Sequence, residues 1–164
     1  MNSTQILRNR LFYDDSISLT NLNPTYKIYA QQLSISFSRE TSIPLNILRH
    51  NSSLEAIVFY LKEILNLKFS EIAGLLNRDQ RTIWVTYSNS KKKKIVLDIE
   101  ENSQFNLPLN IFVSRTFSIL EAIVFYLKNI QNLSFNQISE LLGKNYRTIW
   151  TVYRRALNKV EHEK

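Results

Sequence analysis

The chain has 164 residues, a formal net charge of +7 and no cysteine. The lack of cysteine excludes disulfides and thiolate metal sites and fits a reducing compartment, so we expect a cytoplasmic protein. No apolar stretch approaches the roughly 20 residues of a membrane span, and the polar first residues are not those of a signal peptide, so neither a membrane partner nor secretion is expected.

Residues 1–42 form an N-terminal arm that is rich in Ser, Asn and Thr. Asn23 is a suitable helix cap, and Pro24 suits the first turn of a helix. Apolar residues follow at steps of three and four from Tyr26 to Phe37. The arm is therefore interpreted as holding one candidate helix.

From residue 43 onward the sequence occurs twice. Residues 54–62 read LEAIVFYLK, and residues 120–128 repeat those nine letters unchanged. The match continues forward at an offset of 66 to the RTIW of residues 81–84 and 147–150. Such self-similarity indicates a tandem duplication of a unit of about fifty residues.

The duplication predicts two small domains, residues 43–94 and 107–164, joined by the acidic linker 95–106. The first domain contributes +5 to the net charge, the second +4, the linker −3 and the arm +1. A pair of basic domains indicates an anionic partner, with nucleic acid first and an acidic protein or membrane surface second. The same net charge also fits a protein in which the charge serves only to maintain solubility.

Each copy has the apolar spacing of helices, and no strand is predicted within it. A break at Asn66 or Asn132 separates the first helix from a short second one, which ends at Asn77 or Gly143, residues that tolerate the left-handed conformation. Outside the copies, residues 95–99 are the one stretch that could be extended. The inward face of the first helix comprises Leu54, Ile57, Val58, Leu61 and Ile64 in the first copy and Leu120, Ile123, Val124, Leu127 and Ile130 in the second.

A third helix starts almost at once, with Asp79 or Asn145 as its cap. Its outer face is polar and basic, and in the first copy it runs out into four lysines, residues 91–94. The predicted fold is all-α, with two tandem three-helix helix-turn-helix domains after the N-terminal arm. The inward residues are Ile149, Tyr153, Ala156, Leu157 and Val160 in the second copy and Ile83 and Tyr87 in the first.

The second copy resembles the promoter-reading region-four domain of bacterial sigma factors and related helix-turn-helix regulators. The likeness is carried by LSFNQISELLG at residues 133–143, RTIW at 147–150 and YRRALNK at 153–159. It covers residues 116–160, and more loosely 50–94. Since no other sigma-factor region is recognisable, a complete sigma factor is not expected. The resemblance implies that the outer face of the third helix contacts the DNA major groove, through Asn145, Tyr146, Arg147, Trp150, Thr151 and Arg154 in the second copy and Asp79, Gln80, Arg81, Trp84, Val85 and Ser88 in the first.

Three further cations are assigned to DNA: Arg155 on the outer face, and Lys91 and Lys92 after the third helix. The two lysines could equally be part of a run of charges that is exposed to solvent and has no partner. Trp84 and Trp150 fit packing at the core edge or between the copies as well as contact with sugar and phosphate.

The leading interpretation is a transcriptional regulator that binds double-stranded DNA sequence-specifically, as a monomeric pseudo-dimer or as a homodimer. The outer faces differ between the copies, which predicts non-identical half-sites, about one helical turn apart if the copies are related as in ordinary dimers. The second copy, with more arginine, is expected to bind DNA more strongly. The alternative is a protein-interaction module that docks on a transcription or recombination complex, with RNA polymerase or another protein as partner.

An enzyme is not expected. The sequence contains no Gly-rich phosphate loop and no nucleophile paired with a base. Its two histidines, His50 and His162, are far apart. No catalytic residue, metal or cofactor is therefore assigned.

Overall fold

The computed structural model describes residues 42–99 and 105–162, so the candidate helix of the arm lies outside the described residues. Helices hold most of the described residues, which confirms the all-α class. The first copy comprises β1 Ser42–Pro44, the first 3-10 turn Leu45–Leu48, α1 Ser53–Glu63, α2 Phe69–Leu75 and α3 Gln80–Lys92. The second comprises β2 Asn106–Pro108, the second 3-10 turn Leu109–Phe112, α4 Ile119–Asn129, α5 Phe135–Leu142 and α6 Tyr146–His162.

The two short strands pair with each other and join the copies. They run antiparallel, with Ile43 opposite Leu107. Because Leu107 is the residue that matches Ile43 in the repeat, this register relates the copies by a local two-fold rotation. The strand pair was not predicted, since three residues are too few for alternation to reveal. Residues 95–99, the stretch considered as extended, form no strand.

Both copies contribute to one hydrophobic core. Leu48 and Phe112, which end the two 3-10 turns, are at most 1% exposed. The first 3-10 turn contacts α5 of the other copy, the second contacts α2, and α1 contacts α4. The two copies, predicted as two small domains, therefore share one core, because each 3-10 turn packs against the second helix of the other copy.

The predicted helix breaks are confirmed by the backbone angles. Asn66 and Asn132 have φ values of 53° and 54°, and Asn77 and Gly143 have 46° and 59°. The predicted caps are also present. Asp79 Oδ1 accepts hydrogen bonds from the backbone N–H groups of Arg81 and Thr82 at 2.9 and 3.3 Å, and Asn145 Oδ1 accepts one from that of Arg147 at 2.8 Å.

Gly143→Ala is expected to destabilise the protein by about 1 kcal/mol, because a Cβ disfavours the left-handed conformation. Steric room is not the reason, since the added Cβ would lie 3.6 Å from Arg49 Cγ, an ordinary contact. Gly143→Asn, which copies the residue at the matching position of the first copy, should cost less. Urea unfolding of the three proteins measures the difference, and equal losses for Ala and Asn would contradict this explanation.

The third helices bury unlike residues at matching positions. Thr86 and Ser90 are buried in α3 where α6 buries Val152 and Ala156. The sequence did not reveal these two polar residues because they interrupt an apolar stripe. Ser90 remains satisfied, since its hydroxyl donates to the carbonyl of Tyr87 at 2.7 Å.

One inward assignment, Ile64, needs correction, and two others lie at the edge of the core. Ile64 is 50% exposed, because α1 ends one residue before it. Tyr87 and Tyr153 are only half-buried, and their rings lie 5.3 and 5.2 Å from the rings of the residues that begin α2 and α5. The tyrosines therefore cover the edge of the core.

Glu121 ties the start of α4 to α6. Its carboxylate accepts from the Ser118 N–H at 2.8 Å and pairs with Lys159 at 2.7 Å. Burial acts to raise the pKa of Glu121, but the bonds to Lys159 and Ser118 outweigh it, so the pKa is lowered. A lowered pKa in the folded state contributes stability above the ordinary pKa, and that contribution is lost as the pH falls through the folded value.

Glu121→Gln is therefore expected to lower the unfolding free energy at neutral pH by about 1 kcal/mol. The gap to the wild type should close as the pH falls below the usual glutamate range. Urea unfolding between pH 7 and pH 3 measures it. Glu140→Gln, a change at an exposed site on α5, is the control and should show no such closing gap. A gap that stays constant with pH would contradict the role given to the carboxylate.

Candidate nucleic-acid interface

The outer face of α3 is open to solvent at nearly every position assigned to DNA. Trp84 and Val85 are 54% and 42% exposed. Gln80, Arg81 and Lys92 are also exposed, and Ser88 is half-buried. The first three turns of the face therefore present one arginine amid apolar and neutral side chains, and lysines follow in the last turn.

The outer face of α6 is more basic. Arg147, Arg154 and Arg155 are exposed, and Tyr146 and Trp150 are 47% and 45% exposed. Thr151 is half-buried and its hydroxyl donates to the Arg147 carbonyl at 2.8 Å. Asn145 is exposed, but its side-chain oxygen serves as the cap of α6.

Both tryptophans lie on these open faces and not in the packing role considered from the sequence. Trp84 and Trp150 occupy matching positions, one turn after Arg81 and Arg147. The Arg154 guanidinium lies over the Trp150 ring, 5.6 Å from its centre. An exposed indole with a cation held over it offers a flat surface to a sugar or to an apolar partner.

Lys91 and Lys92 lie in the last turn of α3, whereas the sequence predicted them after it. Part of the lysine run is paired with acidic side chains. Lys91 pairs with Glu63 at 3.0 Å, and the Tyr87 hydroxyl donates to the same carboxylate. Hydrogen bonds from Tyr87 and then from Lys91 lower the pKa of Glu63, and the bond to Glu63 raises the pKa of Lys91. Lys93 pairs with Glu55 at 2.7 Å. Among the described residues Lys92 takes part in no ion pair, so it is the better phosphate candidate of the two assigned.

Two basic residues that the sequence reading missed lie in the turns before the third helices. Arg78 Nη2 donates to the Phe117 carbonyl at 3.1 Å, and Lys144 Nζ donates to the Asn51 carbonyl at 3.2 Å. Each bond crosses to the other copy, and the partners match in the repeat, so the two contacts are reciprocal. The available signal was a basic residue in both copies directly after the left-handed one.

The two turns face each other across a cavity of about 390 Å³, which Arg78 and Lys144 both line. A cavity of this size cannot separate them by the roughly 34 Å of one DNA turn. The distance between the starts of α3 and α6 is therefore shorter than the distance between the centres of the two recognition helices in an ordinary dimer.

Comparison with models of protein families, with curated proteins and with solved structures gives no match to this chain. The resemblance to sigma-factor domains thus rests on the quoted residues alone.

Residues 42–99 and 105–162, which the structure describes, contain neither a cluster of metal-ligating side chains nor a membrane-spanning helix. Within them no three His, Cys, Asp or Glu side chains cluster as metal ligands. None of the described helices is both long enough and apolar enough to cross a membrane.

Proposed function

We propose that the chain binds double-stranded DNA sequence-specifically through the outer faces of α3 and α6 and regulates transcription. The observation that carries this proposal is the matched, exposed pair Arg81 and Arg147. Each lies in the first turn of a helix that follows a shorter helix after a turn of three or four residues. Arginine at this place can form two hydrogen bonds to the edge of a guanine.

The two-fold relation between the copies sets the form of the expected site. Two DNA-contacting helices related by a two-fold rotation contact opposite strands, so the half-sites should be inverted relative to each other. They should not be identical, because the outer faces differ. Since the turns line one cavity, we expect the bases read by Arg81 and Arg147 to lie less than a helical turn apart, closer than the sequence alone suggested.

Selection of sites from random duplex DNA with the full-length protein tests the proposal. The wild type should enrich a bipartite motif. Arg81→Ala and Arg147→Ala should each erase one half of it and weaken binding by about tenfold to a hundredfold. Lys68→Ala removes an exposed cation that lies on neither outer face, and should leave the motif unchanged. No enrichment even at low salt would reject the proposal.

A second candidate is docking on another protein through the same faces. It is favoured by the exposure of four large apolar or aromatic side chains there. Salt separates the two, because phosphate contacts release counterions and make affinity fall steeply with salt, whereas an apolar interface does not. The four side chains are Trp84, Val85, Tyr146 and Trp150.

Glu63→Gln is expected to strengthen DNA binding severalfold. The change removes the acid that pairs with Lys91 and leaves that ammonium available to a phosphate. Affinity measured against salt concentration should steepen by about one phosphate contact. Glu140→Gln removes the same charge where no ion pair is described, and serves as the control for net charge. Equal effects of the two changes would show that Lys91 is not a phosphate contact.

A further inference from the structure

On the outer face of α6 an arginine is held against an aromatic ring. The Arg154 guanidinium lies over the Trp150 indole, 5.6 Å from the ring centre. The two residues are four positions apart, which makes them neighbours on the same side of the helix. A cation over an aromatic face is attracted to it, and indole attracts cations most strongly. The contact therefore restricts where the guanidinium lies.

Arg154 contacts this ring and no acid. None of the ion pairs within the described residues includes it, whereas Lys91, Lys93 and Lys159 each pair with a glutamate. A carboxylate would occupy the N–H groups of the guanidinium with hydrogen bonds. A ring attracts the charge and leaves those N–H groups available to another acceptor. Because Arg154 is exposed, such an acceptor can reach it from solvent.

The same face carries Arg147 two turns earlier. Seven residues separate Arg147 from Arg154, just under two helical turns, so both lie on one side of α6, roughly 10 Å apart along its axis. Trp150 lies between them and is 45% exposed. Successive base pairs of DNA are about 3.4 Å apart. In a groove that α6 follows, the two arginines are therefore spaced for bases about three pairs apart.

The first copy lacks this arrangement. Arg81 and Trp84 repeat the first arginine and the indole, but Ser88 stands at the position that matches Arg154. Trp84 is 54% exposed, and none of the contacts between a cation and a ring within residues 42–99 involves it. The copies thus share one arginine and one indole, and only the second copy adds a cation to the indole.

We propose that Trp150 positions Arg154 for contact with a second base, so that the half-site of the second copy is specified at two positions and that of the first copy at one. This inference rests on the proposed binding of DNA. Arginine forms two hydrogen bonds to the edge of a guanine, and a long side chain loses rotamer freedom when it is held there. The indole imposes part of that order before DNA binds, which favours binding.

The contact itself is tested without DNA. In the free full-length protein, the ring current of the indole should shift the NMR signals of the Arg154 side chain upfield. Trp150→Ala should remove that shift. Trp84→Ala, the same change at the matching position of the first copy, should leave it unchanged. Arg154 signals at the positions of a free arginine would overturn the proposal, whether or not the protein binds DNA.

Selection of sites from random duplex DNA tests the second base contact. The wild type should enrich two specified positions, about three base pairs apart, in the half-site of the second copy. Arg154→Ala should erase only one of them and weaken binding about tenfold to a hundredfold. Arg155→Ala removes the neighbouring exposed cation and should keep both. A motif that Arg154→Ala leaves unchanged would reject the second base contact while DNA binding stays established.

A comparison of single and double variants separates positioning from direct contact of Trp150 with DNA. Trp150→Ala should weaken binding about threefold in the wild-type background and have no further effect once Arg154 is alanine. Trp150→Phe keeps an aromatic ring and should retain most of the affinity. Equal losses from Trp150→Ala in both backgrounds would show that the indole contacts DNA itself, and its positioning role would then be wrong.

Ser88→Arg is the matching gain of function in the first copy. The change places a cation four residues after Trp84, as in the second copy. It should add a specified position to the half-site of the first copy, and adding Trp84→Ala should remove that position again. A new position that persists without the indole would contradict the positioning role. A wild-type protein that selects no motif would reject the proposed function, whereas a motif that none of these changes alters would reject this inference alone.

Discussion

Residues 105–162 expressed without the first copy are expected to form a homodimer and not a folded monomer. Alone, this copy would expose Leu107 and Phe112, which are at most 1% accessible in the whole chain. The antiparallel register pairs matching residues, so a second identical copy can take the place of the missing one, with Leu107 opposite its own equivalent. Burial of such side chains contributes roughly 1.5–3 kcal/mol each, which favours association.

Light scattering after size-exclusion chromatography, with circular dichroism for helix content, measures this. Leu107→Asp in the same fragment places a charge at the two-fold and should prevent the dimer. Residues 42–99 should dimerise less stably, because Thr86 and Ser90 replace apolar residues in the core. A helical monomer of residues 105–162 would show that the shared core is dispensable.

The features that the sequence predicted correctly depend on local chemistry. Asn77 and Gly143 follow the ends of α2 and α5, and Asn66 and Asn132 lie in the turns after α1 and α4. All four have positive φ, which asparagine and glycine tolerate, so the residue type alone indicates these breaks. The helices of the repeats were predicted equally well, from the spacing of their apolar residues. Such signals lie within a few residues of the structure that they specify.

The features that were missed depend on contacts between distant segments. The pairing of β1 with β2 and the reciprocal bonds of Arg78 and Lys144 join residues on different copies. The basic residue after the left-handed one in each copy is a local signal, but neither it nor the strand residues indicate which distant segment they contact. The same holds for Lys91, whose pairing with Glu63 follows from how α3 crosses α1.

Residues that are identical in the two copies are not always buried to the same extent. Phe125 and Tyr126 are 6% and 8% exposed, whereas the matching Phe59 and Tyr60 are only half-buried. In the second copy Phe117 stacks on Phe125 with ring centres 5.2 Å apart. The residue that matches Phe117 in the first copy is Asn51, which has no ring to offer.

Replacing the outer face of α6 with that of α3 is expected to convert the selected DNA site into a symmetric inverted repeat. Both helices already share Arg and Trp at matching positions, and all the positions to be changed lie outside the core. With equal faces, the two-fold relation requires each half-site to be the reverse complement of the other. The substitutions are Asn145→Asp, Tyr146→Gln, Thr151→Val, Arg154→Ser and Arg155→Asn.

The reciprocal exchange provides the matched control and should give an inverted repeat of the other half-site. Its substitutions are Asp79→Asn, Gln80→Tyr, Val85→Thr, Ser88→Arg and Asn89→Arg. Its affinity should be higher and should fall more steeply with salt, because it carries two added arginines. The distance between halves should be equal in both proteins, since it is set by the shared core. A direct repeat from either variant would contradict the two-fold relation of the reading faces while leaving DNA binding itself established.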